Sequence, residues 1–152
     1  QVPSPTGGYM NLGDAVVILG AWLLGPVYGA VAGGVGPAMA DLLSGYAVYV
    51  PATLVIKAVM ALTAALLYRA LKKRGLFLCA AAAEVPMVLG YWLFDGALAS
   101  LSGGGALGLC LTASAAGIPS NLVQAAFGAA ASTLLALALR RSGYVRKQFP
   151  NL

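Results

Sequence analysis

Histidine is missing from this 152-residue sequence, acidic residues number four and cysteines two. Without an imidazole, a common general base and metal ligand is gone. Cys79 and Cys110 stand in apolar surroundings with no CxxC, so paired-thiol redox chemistry and thiolate zinc sites lack their spacing. Both cysteines read as packing residues. Neither HExxH nor GxSxG occurs, and the glycine-rich GGVG and SGGG precede no Lys-Ser/Thr, which a phosphate-cradling loop needs. Glu84 and Asp95 share a helical face but lie ~16 Å apart along the axis, too far for a carboxylate pair. No catalytic residue, metal or cofactor is therefore assigned, and the chain reads as a non-enzyme. An enzyme built on Asp41 or Glu84 would lack a second catalytic group at a useful spacing.

Charge is scarce as well: 9% of residues are charged, against 61% hydrophobic. Neither an ATP site nor a soluble domain is visible, so any uphill movement of a solute draws its energy from another chain. The formal net charge of +5 would suggest nucleic acid in a soluble chain. In so apolar a sequence the placement of the cations matters more than their sum, and no nucleic-acid partner is assigned.

What is abundant is apolar sequence and glycine, 20 residues of it, which predicts closely packed membrane helices. A barrel would show ten-residue alternation of apolar and polar residues, and none is present. Apolar runs at about 14–24, 27–44, 52–69, 76–99 and 119–139 predict five spans in one transmembrane domain, 1–152. The fold class is an all-α, polytopic membrane bundle. The first run is short for a bilayer core that takes about 20 residues, and it meets the second at Gly25-Pro26 as a tilted, partial or broken helix. Residues 100–120 read as a loop dipping back over the protein. The opening QVPSPTGGYMNLGD lacks the basic and apolar regions of a signal peptide. It reads as an extramembrane loop, with the chain beginning mid-protein.

Eight of the nine basic residues fall after the third run (Arg69, Lys72, Lys73, Arg74) or after the fifth (Arg140, Arg141, Arg146, Lys147). The positive-inside rule makes those ends, and the C-terminus, cytoplasmic; topology alone accounts for them without a lipid-recognition role. Five spans then put both groups on one side. On that topology Asp14, Asp41, Lys57, Asp95, Asn121 and Gln124 gather in the outer half, with Glu84 deeper on a stripe with Tyr91. A carboxylate at that depth costs on the order of 2.5 kcal/mol or more and faces the protein interior. Together these groups predict a pocket open to the outside, with Tyr9, Tyr46, Tyr49, Tyr91 and Trp92 available to stack on a flat ring. The plainer readings are snorkelling for Lys57, headgroup contact for Asp41 and Asp95, helix stitching for Asn121 and Gln124, and an interfacial aromatic belt.

Gly25, Gly29 and Gly33, four apart and continued by Gly36 and Ala40, form a small-residue face. It serves either packing within the bundle or docking to a partner membrane subunit, and a small membrane scaffold is the alternative to a ligand-binding protein.

Three stretches, GGYMNLGDAVV (7–17), LLGPVYGAVAGGVGPAMADLLSGYAVYVPATLVIK (23–57) and IPSNLVQAAFG (118–128), resemble the substrate-binding S-component of an energy-coupling factor (ECF) vitamin transporter. The group is the riboflavin type, with hydroxymethylpyrimidine-type and pyridoxine-type members. The resemblance implies six helices, cytoplasmic termini and a vitamin pocket near the outer face; the five spans here would be helices 2–6, the first being absent. It implies residence in a prokaryotic cell membrane and, as partners, a transmembrane coupling protein and two ATPase subunits. Matched position by position, Asn11, Asp14, Lys57, Asn121 and Gln124 would line the pocket. Asp41, Tyr46, Tyr49, Glu84 and Tyr91 join them on the depth reading. Four carboxylates against one basic pocket candidate favour a neutral or amino-bearing heterocycle over a carboxylate vitamin.

Overall fold

The computed structural model describes residues 2–3, 9–10 and 12–149, with side chains described from residue 12 and not for Arg146. Val2–Pro3 (β1) and Tyr9–Met10 (β2) form a two-residue antiparallel pair, Val2 opposite Met10. The rest is helical: α1 (Asp14–Leu24), α2 (Pro26–Leu43), α3 (Val50–Ala70), α4 (Leu76–Ala99), α5 (Leu107–Ser114), α6 (Ile118–Arg140) and α7 (Gly143–Gln148). The all-α membrane bundle expected from composition is the architecture found.

Among the described residues, three helical stretches, Ala47–Ala70, Leu76–Gly104 and Leu107–Arg140, are long and apolar enough to cross a membrane. The first two predicted spans are different in kind. α1 has only 11 residues, and α2 is diluted by Gly, Pro and Asp41. They fold back on each other at Gly25, whose φ of 82° is a conformation glycine adopts at little cost, with Pro26 opening α2. Gly29 lies against Ala21 and Gly33 against Val17 and Ala61, so the close approach of the hairpin uses the missing side chains.

Residues 100–120 are not a dipping loop. Chain reversal is confined to the glycines at 103–105, where Gly103 and Gly105 both have positive φ. The apolar LGLCLTAS that follows is helix α5, which a single turn of tighter helix, Ala115–Gly117, joins to α6. Pro119 in the first turn of α6 fits that junction, because proline is tolerated where the helical N–H needs no partner. α5 lies against α4: Trp92 Nε1 donates to the Leu111 carbonyl (2.9 Å) and Ser114 Oγ to the Trp92 carbonyl (3.2 Å). At 34 residues, Leu107–Arg140 measures ~51 Å against a hydrocarbon core of ~30 Å.

The core is where α1, α3, α4 and α6 meet, and small residues dominate it: Ala21, Ala61, Ala64, Ala80, Ala83 and Ala136 are all fully buried. Trp22 fills one end, donating from Nε1 to the Ala64 carbonyl (3.2 Å) and packing 5.4 Å from the Tyr68 ring. At that end Arg140 donates to the Tyr68 hydroxyl and to the Lys73 carbonyl (2.8 Å), placing the two basic clusters together as their sequence positions predicted. Cys79 and Cys110 are free and buried.

Candidate functional site

At the opposite end of the core the small-residue packing gives way to a charged layer. The Lys57 ammonium pairs with the Asp14 carboxylate, the two side chains 0% and 1% exposed. The other Asp14 oxygen accepts from Gln124 Nε2 at 2.7 Å, and the same amide nitrogen lies 3.7 Å from Met87 Sδ. One carboxylate thus ties α1 to both α3 and α6. Lys57 does not snorkel: its ammonium is held internally, 5.5 Å above the Tyr91 ring, a distance at which the ring face attracts a cation.

One turn before Lys57 on α3, Thr53 Oγ1 donates to Asp41 of α2 at 2.5 Å and lies 3.0 Å from the Tyr91 hydroxyl of α4. Asp41 is 4% exposed, so it is an interior group and not a headgroup contact. Further toward this end, Tyr49 donates to Asp95 at 3.1 Å, and its ring packs edge-on against Phe94 and Tyr46.

Glu84 lies one turn beyond the Met87–Gln124 contact, toward the core. It is 2% exposed, and neither carboxyl oxygen has a hydrogen-bond donor among the described residues. Its carboxyl faces Gly128 of α6, where a β-carbon would collide with Oε1 and stand 2.9 Å from Asp14 Cβ. Asp14 and Lys57 are both within electrostatic reach of it.

Of the predicted site residues, Asp14, Lys57, Glu84 and Gln124 come together as one buried cluster. Asp41 and Tyr91 form a second, bridged to it along α3, and Tyr46 and Tyr49 belong to the outer aromatic group with Asp95. Asn121 is half-buried one turn before Gln124 on α6 and makes none of the network's hydrogen bonds. Asn11 lies outside the described residues. Thr53, Met87 and Gly128 were not anticipated. Thr53 alone had a signal, a polar residue four positions before Lys57 and so on the same helical face.

Of the glycines considered for docking, Gly29 and Gly33 are packed inward, yet with Gly20 and Gly36 they also wall an apolar groove of about 410 Å³ between α1 and α2.

A helical bundle with the length and apolarity to span a bilayer, and with acids, a lysine and amides linked inside it, is a membrane protein with an internal polar site. The family model for the S component of the ECF-type riboflavin transporter matches residues 1–141, and the chain belongs to that family, one of transporter components. It is also similar to a protein of Pyrococcus woesei described as an uncharacterized protein in gap 3' region, 48% identical over 58 residues. That match covers 38% of this chain and spans 38% of the length of that curated relative. No solved structure matches.

Proposed function

We propose that this chain is the subunit that captures a vitamin or vitamin precursor, a flat heterocycle of riboflavin, hydroxymethylpyrimidine or pyridoxine type, for uptake driven by partner ATPases. The observation that carries this reading is the cluster of Asp14, Lys57, Glu84 and Gln124. Four helices contribute one polar residue each to a buried layer of an otherwise apolar bundle, and such groups are too costly at membrane depth to be kept without use. Family membership agrees with it. Asn11, Asp14, Asp41, Tyr46, Tyr49, Lys57, Glu84, Tyr91, Asn121 and Gln124 are the proposed lining. With three carboxyl side chains, Asp14, Asp41 and Glu84, and one ammonium in its lining, the site suits a neutral or amino-bearing ring.

The basic ends of α3 and α6 are assigned to the cytoplasm of a prokaryotic cell, with the polar layer toward the outside. The partners are a transmembrane coupling protein and two ATPases, and the α1–α2 groove with Gly25, Gly29 and Gly33 is the face assigned to docking. The test is native mass spectrometry of the purified full-length protein, followed by thermal-shift titration with riboflavin, pyridoxine and an aminopyrimidine. A co-purifying heterocycle or a saturable shift is expected; a folded protein that carries and binds none of them sinks the reading. A scaffold acting through its glycine face would instead lose partner association on bulky substitution at Gly29 or Gly33 with its ligand titrations blank throughout.

A further inference from the structure

The basic end of the bundle carries charge that no side-chain acid there balances. Arg69, Lys72, Lys73, Arg74 and Arg141 are exposed. Arg140 draws the end of α6 onto the α3–α4 turn by donating to the Tyr68 hydroxyl and to the Lys73 carbonyl (2.8 Å). The acids of the sequence are Asp14, Asp41, Glu84 and Asp95, and all of them belong to the polar groups described above, away from this end. Cations gathered in this way repel one another.

Topology asks only that the cations lie on one side of the membrane, and the turn goes further than that. Lys72 and Lys73 have φ of 49° and 64°, a left-handed conformation that is costly for a residue with a β-carbon and cheap for glycine. Glycine or asparagine at these positions, with the lysines elsewhere in the loop, would serve topology without the strain. Strained positions of this kind persist where the residue is put to use. Beside the cations, Leu71 ends α3, and Phe77 and Leu78 stand in the first turn of α4; all three are exposed apolar residues. A partner that uses both surfaces is an amphiphile with a negative head.

We propose that the α3–α4 turn and the end of α6 form a site for an anionic phospholipid, with the phosphate against Lys72, Lys73 and Arg141 and an acyl chain along Phe77 and Leu78. Ammonium and guanidinium groups make charge-assisted hydrogen bonds to phosphate oxygens, and each cation held near an anionic surface adds to the attraction. Bound phosphate turns the repulsion between the two basic clusters into attraction to a shared anion, so the lipid holds α6 against the turn. The site is independent of which ring the polar layer takes.

The test follows the melting temperature of the full chain in a non-ionic detergent as phosphatidylglycerol, phosphatidylcholine of the same acyl chains, or inorganic phosphate is added. Phosphatidylglycerol is expected to give a saturable rise at about a tenth of the concentration that phosphatidylcholine needs. That preference should shrink in ~0.5 M NaCl, which screens exposed charges, and inorganic phosphate at the same concentration should give no rise. Lys72→Gly combined with Lys73→Gly relieves the left-handed strain and keeps the carbonyl that Arg140 uses. Its melting temperature in phosphatidylcholine is expected to equal or exceed that of the wild type, while its preference for phosphatidylglycerol falls to about twofold or less. Lys72→Arg combined with Lys73→Arg keeps both charges and should keep the preference. Equal responses to the two lipids, or a preference unchanged in the glycine variant, overturn the inference. A rise with inorganic phosphate as large as that with phosphatidylglycerol also overturns it, in favour of a free-anion site. If the lipids act alike and the glycine variant instead loses a partner subunit, the basic end is a protein-docking surface and the lipid site falls.

Discussion

Lys57 and Asp14, 43 residues apart in sequence, form an ion pair with essentially no solvent contact. The pair is the hub of the polar layer, because Asp14 also accepts from Gln124 and so fixes α1, α3 and α6 relative to one another. A buried pair of this kind is worth little against apolar residues of the same volume, whereas stranding one member costs about 3–5 kcal/mol. Lys57→Met is therefore expected to lower stability by about that much. Lys57→Met combined with Asp14→Asn should restore most of it, since Asn keeps an acceptor for Gln124 and removes the stranded charge. Thermal unfolding in detergent measures both; a single variant as stable as wild type would show that the pair holds nothing.

Lys57 is consequently a poor probe of ligand binding, because its loss disturbs the fold. Asn121 is the better one. It is half-buried at the same end and outside the hydrogen-bonded network, so Asn121→Ala is expected to change stability by no more than about 0.5 kcal/mol. If Asn121 lines the pocket, the same variant should weaken the heterocycle about tenfold, the loss of one hydrogen bond. Melting temperature and ligand titration on one preparation separate the two effects, and an unchanged affinity removes Asn121 from the site.

Charge made much of this legible in the sequence. In a chain where 9% of residues are charged, Asp14, Lys57 and Glu84 inside apolar runs announce an interior cluster, and the paired basic ends announce which helix ends lie together. Partners are not legible: the sequence alone allows snorkelling or pocket lining for Lys57, and the ion pair depends on a residue 43 positions away. Thr53 was hidden because threonine in an apolar helix commonly bonds its own backbone, as Thr63 and Thr133 do here. Gly128 was hidden among 20 glycines, and its role appears only once Glu84 is seen beside it. The run LGLCLTAS is too short to read as a span, although in the structure it extends α6 toward the turn at Gly103–Gly105.

The glycines of α2 divide by what faces them. A β-carbon on Gly29 would stand 2.6 Å from the Ala21 Cα, a backbone atom that cannot step aside, while one on Gly36 would meet nothing within 4 Å. Gly29→Ala is expected to destabilise by about 1–3 kcal/mol through overpacking. Gly36→Ala should gain about 0.5–1 kcal/mol from helix propensity. Thermal unfolding in detergent gives both signs; equal effects would mean that the α1–α2 hairpin is not packed through Gly29.

Thr53 joins the two halves of the site, four residues before Lys57 on α3 and bonded to both Asp41 and Tyr91. Thr53→Val keeps the shape and removes the hydroxyl, and with it the hydrogen bonds that Thr53 makes to Asp41 and to the Tyr91 hydroxyl. The expected cost is about 1–3 kcal/mol, whereas Thr53→Ser keeps the hydroxyl and loses one methyl, about 1 kcal/mol. Because Tyr91 also lies beneath the Lys57 ammonium, Thr53→Val should loosen that ring as well and weaken heterocycle binding more than Thr53→Ser does. The comparison is made by unfolding and by titration on both variants. If Val and Ser behave alike, the hydroxyl is not what connects Asp41 to Tyr91, and the two polar clusters are independent.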